Sequence, residues 1–192
     1  MMTATGRTET SDRDRVLAAA SHLFYSRGIQ AVGMDAVRAE AGVPLKRIYA
    51  NFPSKQDLLL AVLHHQGDLW RRSLEAAIEA ASTPREKLLA VYDFLREWFQ
   101  EDNFRGCAFI NAFGELGAVA PDVADTVLVQ KHEFRQRVSE LVAELGGPAE
   151  LGPQLALLAE GAQTTAAIDR SPAAADVARA AAAMLIDAAG HA

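Results

Sequence analysis

Apolar residues recur every three to four positions through most of this chain, and no stretch shows the strict alternation of a half-buried strand. The first run places five apolar residues on one helical face: Val16, Leu17, Ala20, Leu23 and Phe24. Ser11 and Asp14 precede it with the spacing of a capping box, and Gly28 follows it as a stop. The pattern therefore predicts a first helix over residues 11–27.

Two short helices separated by a turn are predicted next, at residues 35–41 and 45–51. Gly42 can leave the first of them at positive φ at low cost. Pro44 can open the second, because a first-turn residue needs no N–H partner. Val43 and Ile48 are expected to point inward and hold the two helices together. This order of helix, Gly-containing turn and short helix is the layout of a helix-turn-helix.

The rest of the chain is also predicted to be helical. Ser54 and Asp57 form a second capping-box pattern and open a long fourth helix that extends to about residue 80. Five further helices are predicted at residues 85–100, 106–119, 123–145, 151–168 and 173–189. We therefore expect an all-α chain of about nine helices, with a three-helix head joined by the long fourth helix to a C-terminal helical domain.

Charge is distributed unevenly along this chain of 192 residues, whose net charge is -6. Residues 1–55 carry eight Lys or Arg and five Asp or Glu, a net of +3, so the remainder carries eleven and twenty, a net of -9. An anionic partner for the N-terminal part would explain the asymmetry, and so would chance. Residues 1–10 are polar and are predicted to form a disordered tail. The one cysteine, Cys107, favours a reducing, cytoplasmic location.

The basic residues of the helix-turn-helix stand in the segment AGVPLKRIYANFPSKQDLL, residues 41–59. Lys46, Tyr49 and Ala50 share one stripe of the predicted helix, and Arg47 and Asn51 form the adjacent stripe. A helix of this size fits the major groove of B-DNA, where Lys or Arg can donate to guanine or to phosphate. The sequence leaves both readings open for Lys46 and Arg47.

The same segment carries a family signature in the order and spacing of eight residues: Ala41, Gly42, Val43, Tyr49, Phe52, Ser54, Lys55 and Leu58. With the preceding RVLAAASHLFYSRG, it resembles the N-terminal part of the TetR family of bacterial transcriptional regulators. The resemblance covers about residues 11–60. It implies a homodimer that binds a palindromic operator through residues 11–55, while residues 56–192 bind a small-molecule effector and hold the dimer contact.

The resemblance also implies roles for single residues. The positions expected at the DNA are Leu45, Lys46, Arg47, Tyr49, Asn51 and Lys55. The first four fall where the family's recognition helix meets bases, and Tyr49 and Asn51 fall where phosphate contacts are common. Lys55 would hold a phosphate at the N-terminus of the fourth helix. The chain departs from the family at Pro44, where a capping Ser is usual, and at Gly33-Met34, where a Thr or Ser often starts the second helix.

The last two helices are predicted to form the dimer interface, since their apolar stripes contain many Ala residues that allow close helix approach. The predicted interface residues are Leu155, Leu158, Ala159, Ala162, Ala166, Val177, Ala181, Met184 and Leu185. The alternative is that these stripes pack only within the core of one chain.

A ligand pocket is predicted around the segment NFRGCAFINAFGELGA. Its candidate residues combine an apolar wall with a polar stripe: Trp98, Cys107, Phe109, Ile110, Asn111, Phe113, Glu115 and Gln163. The alternative is that the polar stripe faces solvent or bonds a neighbouring helix.

No enzyme is expected, because the sequence contains no Gly-rich phosphate loop, His-Cys cluster or Ser elbow. Neither a metal nor a cofactor is predicted. The sequence and the resemblance together favour a cytoplasmic, ligand-responsive transcriptional repressor that a small apolar or amphipathic molecule releases from DNA. The competing reading is a helical binding protein whose head meets a protein partner.

Overall fold

The computed structural model describes residues 11–189, so the predicted disordered tail of residues 1–10 lies outside the described part of the chain. Within residues 11–189 every regular element is an α-helix, which confirms the all-α prediction. The nine helices are α1 (Asp12–Arg27), α2 (Met34–Ala41), α3 (Leu45–Asn51), α4 (Lys55–Glu79), α5 (Pro84–Phe99), α6 (Ala108–Leu116), α7 (Pro121–Leu145), α8 (Leu151–Asp169) and α9 (Ala173–Ala189). None of these helices combines the length and apolar character that crossing a bilayer requires.

Most predicted helix bounds agree with the structure to within a residue or two, and α6 is the main exception. It is shorter than expected at both ends, since Cys107 serves as its N-cap and Gly117 as its C-cap. The next helix begins at Pro121, two residues before the predicted start, because proline is tolerated in the first turn of a helix.

The chain divides into two compact units, with the boundary between His65 and Gln66, inside α4. The N-terminal unit contains α1, α2, α3 and the first part of α4. Its core is formed by fully buried apolar residues: Val16, Leu23, Val37, Val43, Ile48 and Leu58. Val43 and Ile48 are 1% and 0% exposed, so both point inward as the sequence predicts.

Two of the helices that begin in the N-terminal unit, α1 and α4, are capped by serine. The Ser11 hydroxyl oxygen accepts from the N–H of Asp14 at 3.1 Å, and that of Ser54 accepts from the N–H of Asp57 at 3.0 Å. In both cases the aspartate carboxylate accepts the serine hydroxyl proton. Each predicted capping box is therefore formed in part. The serine side chain accepts from the N–H of the aspartate, but the aspartate carboxylate bonds the serine hydroxyl in place of the serine backbone N–H.

The C-terminal unit is a bundle built from the rest of α4 and α5 to α9. The α5 and α9 helices are joined by three Arg–Asp pairs: Arg85–Asp187, Arg96–Asp176 and Arg179–Asp93. Arg137 of α7 forms a bidentate pair with Glu75 of α4, with its Nε 2.8 Å from Oε1 and its Nη2 2.9 Å from Oε2. Inside the bundle, the buried Tyr92 hydroxyl donates to the Leu155 carbonyl at 2.7 Å and links α5 to α8.

Candidate nucleic-acid interface and candidate ligand site

The turn between α2 and α3 is shaped by Gly42 and Pro44. Gly42 has φ 62° and ψ 30°, the left-handed conformation that glycine adopts at low cost, and its N–H donates to the Arg38 carbonyl. Pro44 is extended at φ -59° and ψ 140°, and α3 begins directly after it at Leu45. Neither α2 nor α3 has a side-chain N-cap, as the residues Gly33 and Pro44 lead one to expect.

Arg15 of α1 holds this turn through two hydrogen bonds to its backbone. Its Nη2 donates to the carbonyl oxygens of Ala41 at 2.7 Å and of Gly42 at 3.0 Å. A guanidinium at the C-terminal carbonyls of a helix also complements the negative end of the helix dipole. Sequence reasoning missed this residue, because its partners lie 26 and 27 positions away and no local pattern marks the pairing.

The residues predicted to meet DNA lie on the outer side of α3 and beside it. Lys46, Arg47, Tyr49 and Asn51 are exposed, and Tyr49 is 44% exposed although it is aromatic. Leu45 and Lys55 are half-buried. Because Ile48 is fully buried, the helix has a clear inner edge, and its polar residues stand on the opposite side.

Three of these side chains already have partners within the N-terminal unit. Arg47 Nη1 lies 2.6 Å from Asp12 Oδ2, and the Asn51 amide donates to the carbonyl of Arg47 at 2.8 Å. The Lys55 ammonium donates to the Ile29 carbonyl at 2.6 Å and lies 5.9 Å from the centre of the Phe24 ring. An ammonium has three N–H donors. Lys55 can therefore link Ile29, which follows α1, to the start of α4 and still donate to a phosphate.

The eight residues predicted to line a ligand pocket fall into three groups. Cys107, Phe109 and Gln163 are buried, while Trp98, Ile110 and Glu115 are half-buried. Asn111 and Phe113 are exposed, and the Asn111 amide donates to the Arg105 carbonyl at 3.1 Å. The predicted polar stripe is therefore not a single buried wall, because Cys107 is the buried N-cap of α6 whereas Asn111 is exposed and Glu115 is half-buried.

Lys131 of α7 is a buried cation that sequence reasoning missed. It is 9% exposed, and its ammonium donates to Cys107 Sγ at 3.5 Å, the one hydrogen bond its side chain makes to the described residues. A thiol sulfur is a weak acceptor, so burial of this ammonium is poorly compensated. On sequence it is one of several charged residues in an amphipathic helix, and nothing local distinguishes it.

An aromatic group, formed by Trp70, Phe94, Trp98 and Phe134, packs in the same unit. The Trp70 ring makes edge contacts with the other three at centroid distances of 5.5 to 6.2 Å. Its indole Nε1 is buried with no acceptor among the described residues. Phe134 lies one helical turn after Lys131 on α7, so the apolar rings and the buried cation belong to one side of that helix.

The predicted interface stripe on α8 needs correction. Leu155, Ala159, Ala162 and Ala166 are between 0% and 5% exposed and pack in the core of their own unit. Leu158 and Ala181 are half-buried. Apolar residues stand on nearly every side of α8, so the helix has more than one apolar stripe. The sequence pattern alone does not show which stripe faces outward. These four residues are buried within one chain, the arrangement that the sequence offered as the alternative.

Other apolar residues of α8 and α9 do face outward. On α8 the exposed stripe contains Leu157, Gly161, Thr164 and Ile168, with Leu157 and Ile168 exposed by 73% and 75%. On α9 the predicted residues Val177 and Met184 are exposed by 71% and 74%, and Leu185 by 37%. Large apolar side chains at this exposure mark candidate contacts with another chain.

The described residues contain no group of three or more His, Cys, Asp or Glu side chains placed to hold a metal ion. The N-terminal unit presents a helix face with basic and aromatic residues, and the C-terminal unit contains a buried cation, Lys131.

Comparison with known proteins places both units in one family. Residues 16–62 match the profile of bacterial regulatory proteins of the tetR family. The HTH-type transcriptional regulator YjdC of Escherichia coli is 29% identical over 86% of this chain and 88% of its own length. The HTH-type transcriptional activator FasR of Mycolicibacterium smegmatis is 30% identical over 70% of this chain and 60% of its own.

A solved structure of a TetR-family transcriptional regulator from Streptomyces coelicolor has a TM-score of 0.87. It is 28% identical to this chain and spans 93% of this chain and 96% of its own. The likeness thus extends beyond the helix-turn-helix to the whole bundle. The chain belongs to the TetR family of helix-turn-helix transcriptional regulators.

Proposed function

We propose that this regulator binds a palindromic operator as a homodimer and leaves it when a small apolar or amphipathic molecule binds the C-terminal unit. The observation that carries the proposal is the outer side of α3, where Lys46, Arg47, Tyr49 and Asn51 are exposed opposite the buried Ile48. A short helix with cations and an aromatic on its free side suits the major groove.

We assign a DNA contact to each of these residues from the chemistry of its side chain. Leu45, Lys46, Arg47 and Tyr49 would face the major groove, where Lys46 and Arg47 can donate to a base edge or to a phosphate, and Tyr49 and Asn51 would also reach phosphates. Lys55 would meet a phosphate together with the N–H groups that begin α4, a favourable place for an anion. We assign residues 11–55 to this DNA-binding role and residues 56–192 to effector binding and dimerisation.

A dimer is needed because one helix of this length reads only a few base pairs. Two recognition helices that enter successive major grooves must be about 34 Å apart, so the partner chain sets the spacing. We propose that the outward apolar residues of α8 and α9, with Leu157, Ile168, Val177 and Met184 among them, form the contact. Gly161 on the same α8 face has open space where a Cβ would stand, which allows close approach of a second helix.

The proposed effector site is the region of α6, α7 and α8 where Cys107, Phe109, Lys131 and Gln163 are buried. An effector acts only if it prefers the conformation that does not fit the operator. We propose that α4 carries the effect of the ligand, because this helix runs without a break from Lys55 to Glu79.

We propose repression as the output, by blocking transcription from the promoter that holds the operator. FasR, one of the relatives, is named an activator, so a reporter gene behind the selected operator has to decide the direction. The proposed location is the cytoplasm, where a bacterial operator is found.

Selection of bound DNA from a random pool, followed by sequencing, tests the proposal. The expected result is a palindromic motif that one dimer binds, with affinity that falls steeply as salt rises because phosphate contacts release counterions. A molecule that stays monomeric at micromolar concentration, or that prefers no sequence at moderate salt, would refute it. Salt-insensitive binding to a protein partner would instead favour the reading in which the head meets protein.

A further inference from the structure

We infer that Asp12 is a specificity-determining residue, which positions Arg47 to read a base pair while Lys46 contacts the DNA backbone. The inference rests on the proposed DNA binding, and it goes further by assigning the two basic side chains of α3 to different tasks. Asp12 lies in the first turn of α1, outside the helix-turn-helix formed by α2 and α3.

The geometry shows a carboxylate between two guanidinium groups. Asp12 Oδ2 lies 2.6 Å from Arg47 Nη1, and Asp12 Oδ1 lies 3.6 Å from Arg15 Nη1. Arg15 is itself fixed, because its Nη2 donates to the Ala41 and Gly42 carbonyls in the turn. Asp12 therefore connects the side chain of Arg47 to the backbone of the turn that orients α3.

This connection restrains a side chain that would otherwise be mobile. The Arg47 side chain is 69% exposed, so without a partner it would lose considerable rotamer freedom on binding DNA. A charge-assisted hydrogen bond of 2.6 Å holds it in place beforehand, which lowers that cost. The carboxylate occupies one of the five guanidinium donors, which leaves enough of the planar group for a bidentate contact with O6 and N7 of guanine.

Lys46 is in a different situation one position earlier. It is exposed, and its ammonium has no hydrogen bond or ion pair with another described residue. An ammonium is a point charge with freely rotating donors, which suits a phosphate better than the fixed pattern of a base edge. Restraint at Arg47 and freedom at Lys46 thus separate base reading from backbone contact.

The position of Asp12 also has an electrostatic consequence. A carboxylate next to the recognition helix repels every DNA sequence, whereas its effect on Arg47 helps only the sequence that Arg47 reads. Removing its charge should therefore strengthen binding to unrelated DNA and weaken discrimination. A residue that merely stabilised the fold would not change the two quantities in opposite directions.

The test uses the full-length dimer, the operator obtained by selection and a panel of operators with single base-pair changes in each half-site. Asp12→Asn is expected to reduce the preference at one base pair of each half-site by about tenfold, the scale of one bidentate contact. Arg47→Met should abolish the preference at that same base pair. Combining the two changes should add little, since the residues act as one unit. Lys46→Ala should weaken all operators equally.

Asp14→Asn is the matched control, because Asp14 is in the same turn, carries the same charge and accepts from Ser11, not from Arg47. It should leave every base preference unchanged, and thermal unfolding should show that all variants are folded. The inference is overturned if Asp12→Asn keeps the full base preference, or if Asp12→Asn and Asp14→Asn change it equally. It is also overturned if Arg47→Met weakens all operators alike. A wild-type protein without sequence preference would instead show that the proposed function fails, and the inference with it.

Discussion

Arg15 donates to the carbonyl oxygen of Ala41 over 2.7 Å, and this bond ties the first helix to the turn of the helix-turn-helix. The same guanidinium group leaves little room above Gly42, where a Cβ would stand 2.9 Å from Arg15 Nη2. The turn is therefore held by two features together: a backbone conformation that favours glycine and an arginine that occupies the space a side chain would need.

Gly42→Ala should lower the free energy of unfolding of the N-terminal unit by about 1–2 kcal/mol, the cost of a left-handed conformation for a residue with a Cβ. Both tryptophans, Trp70 and Trp98, lie in the other unit, so amide hydrogen exchange in α2 and α3 is the suitable measurement. Gly33→Ala is the control, because Gly33 has φ -90° and no neighbouring atom within 4 Å of its Cβ position. Equal protection in the two variants would contradict the prediction.

Lys55→Met should reduce both stability and DNA affinity, since the Lys55 ammonium bonds the Ile29 carbonyl in the free protein. We expect a loss of about 1 kcal/mol in unfolding free energy, the typical net value of one hydrogen bond. Lys46→Met should leave stability unchanged, weaken binding to all operators alike and lower the salt dependence of binding by about one unit of slope. Chemical denaturation and binding titrations at several salt concentrations separate the two effects. A Lys55→Met protein of unchanged stability would show that the bond to Ile29 contributes nothing.

Ile168→Glu should convert the dimer to a monomer. A carboxylate buried without a partner costs several kcal/mol, so the dimer dissociation constant should rise at least about 100-fold. Analytical ultracentrifugation over a concentration series measures it. Leu128→Glu is the control on α7, where the side chain is 61% exposed and outside the proposed interface. If Ile168→Glu remained dimeric, the outward face of α8 would not be the contact.

Tyr92→Phe should change how stability depends on alkaline pH. Burial raises the pKa of the Tyr92 phenol above its ordinary value of 10.0. The folded state therefore holds this proton more tightly than the unfolded state. The contribution of Tyr92 to the free energy of unfolding is complete below about pH 10, and it is lost as the pH rises further. Near neutral pH, Tyr92→Phe should lower the free energy of unfolding by about 1 kcal/mol, because the substitution removes the hydrogen bond to the Leu155 carbonyl. Above pH 10, the free energy of unfolding should decline less steeply in this variant than in the wild type.

Tyr49→Phe serves as the control for this pH experiment, because the Tyr49 side chain is 44% exposed on α3. It should keep the alkaline decline of the wild type. Tryptophan fluorescence reports the unit that contains Tyr92, so urea titrations at a series of pH values give the required curve. An identical decline in Tyr92→Phe and wild type would rule out Tyr92 as its source.

Lys131→Met should raise the stability of the C-terminal unit in the absence of effector. Lys131 is 9% exposed and donates to a thiol sulfur, so replacement by an apolar chain of similar length removes a desolvation cost of about 1 kcal/mol or more. Lys87→Met is the comparison, since it removes a surface pair with Glu144 and should lower stability slightly. A destabilised Lys131→Met protein would reveal a partner for the ammonium that matters more than Cys107.

The sequence by itself determined the helices and the helix-turn-helix. Their signals are local: apolar residues at helical spacing, serine caps at Ser11 and Ser54, and the stop at Gly42. The free side of α3 was predictable for the same reason, because a seven-residue helix with one central inward residue, Ile48, has only one outer face.

Only the tertiary structure decided which residues hold these elements together and which faces remain outside. Arg15 and Lys55 find their acceptors 26 residues away, and Asp12 meets Arg47 across 35 positions, distances at which sequence pattern carries no information. The α8 helix is apolar on nearly every side, so the helices that pack against it decide which of its faces is buried. The burial of Lys131 is likewise decided by the elements that pack against α7. Local energetics specify a helix, whereas burial depends on what the rest of the chain places against it.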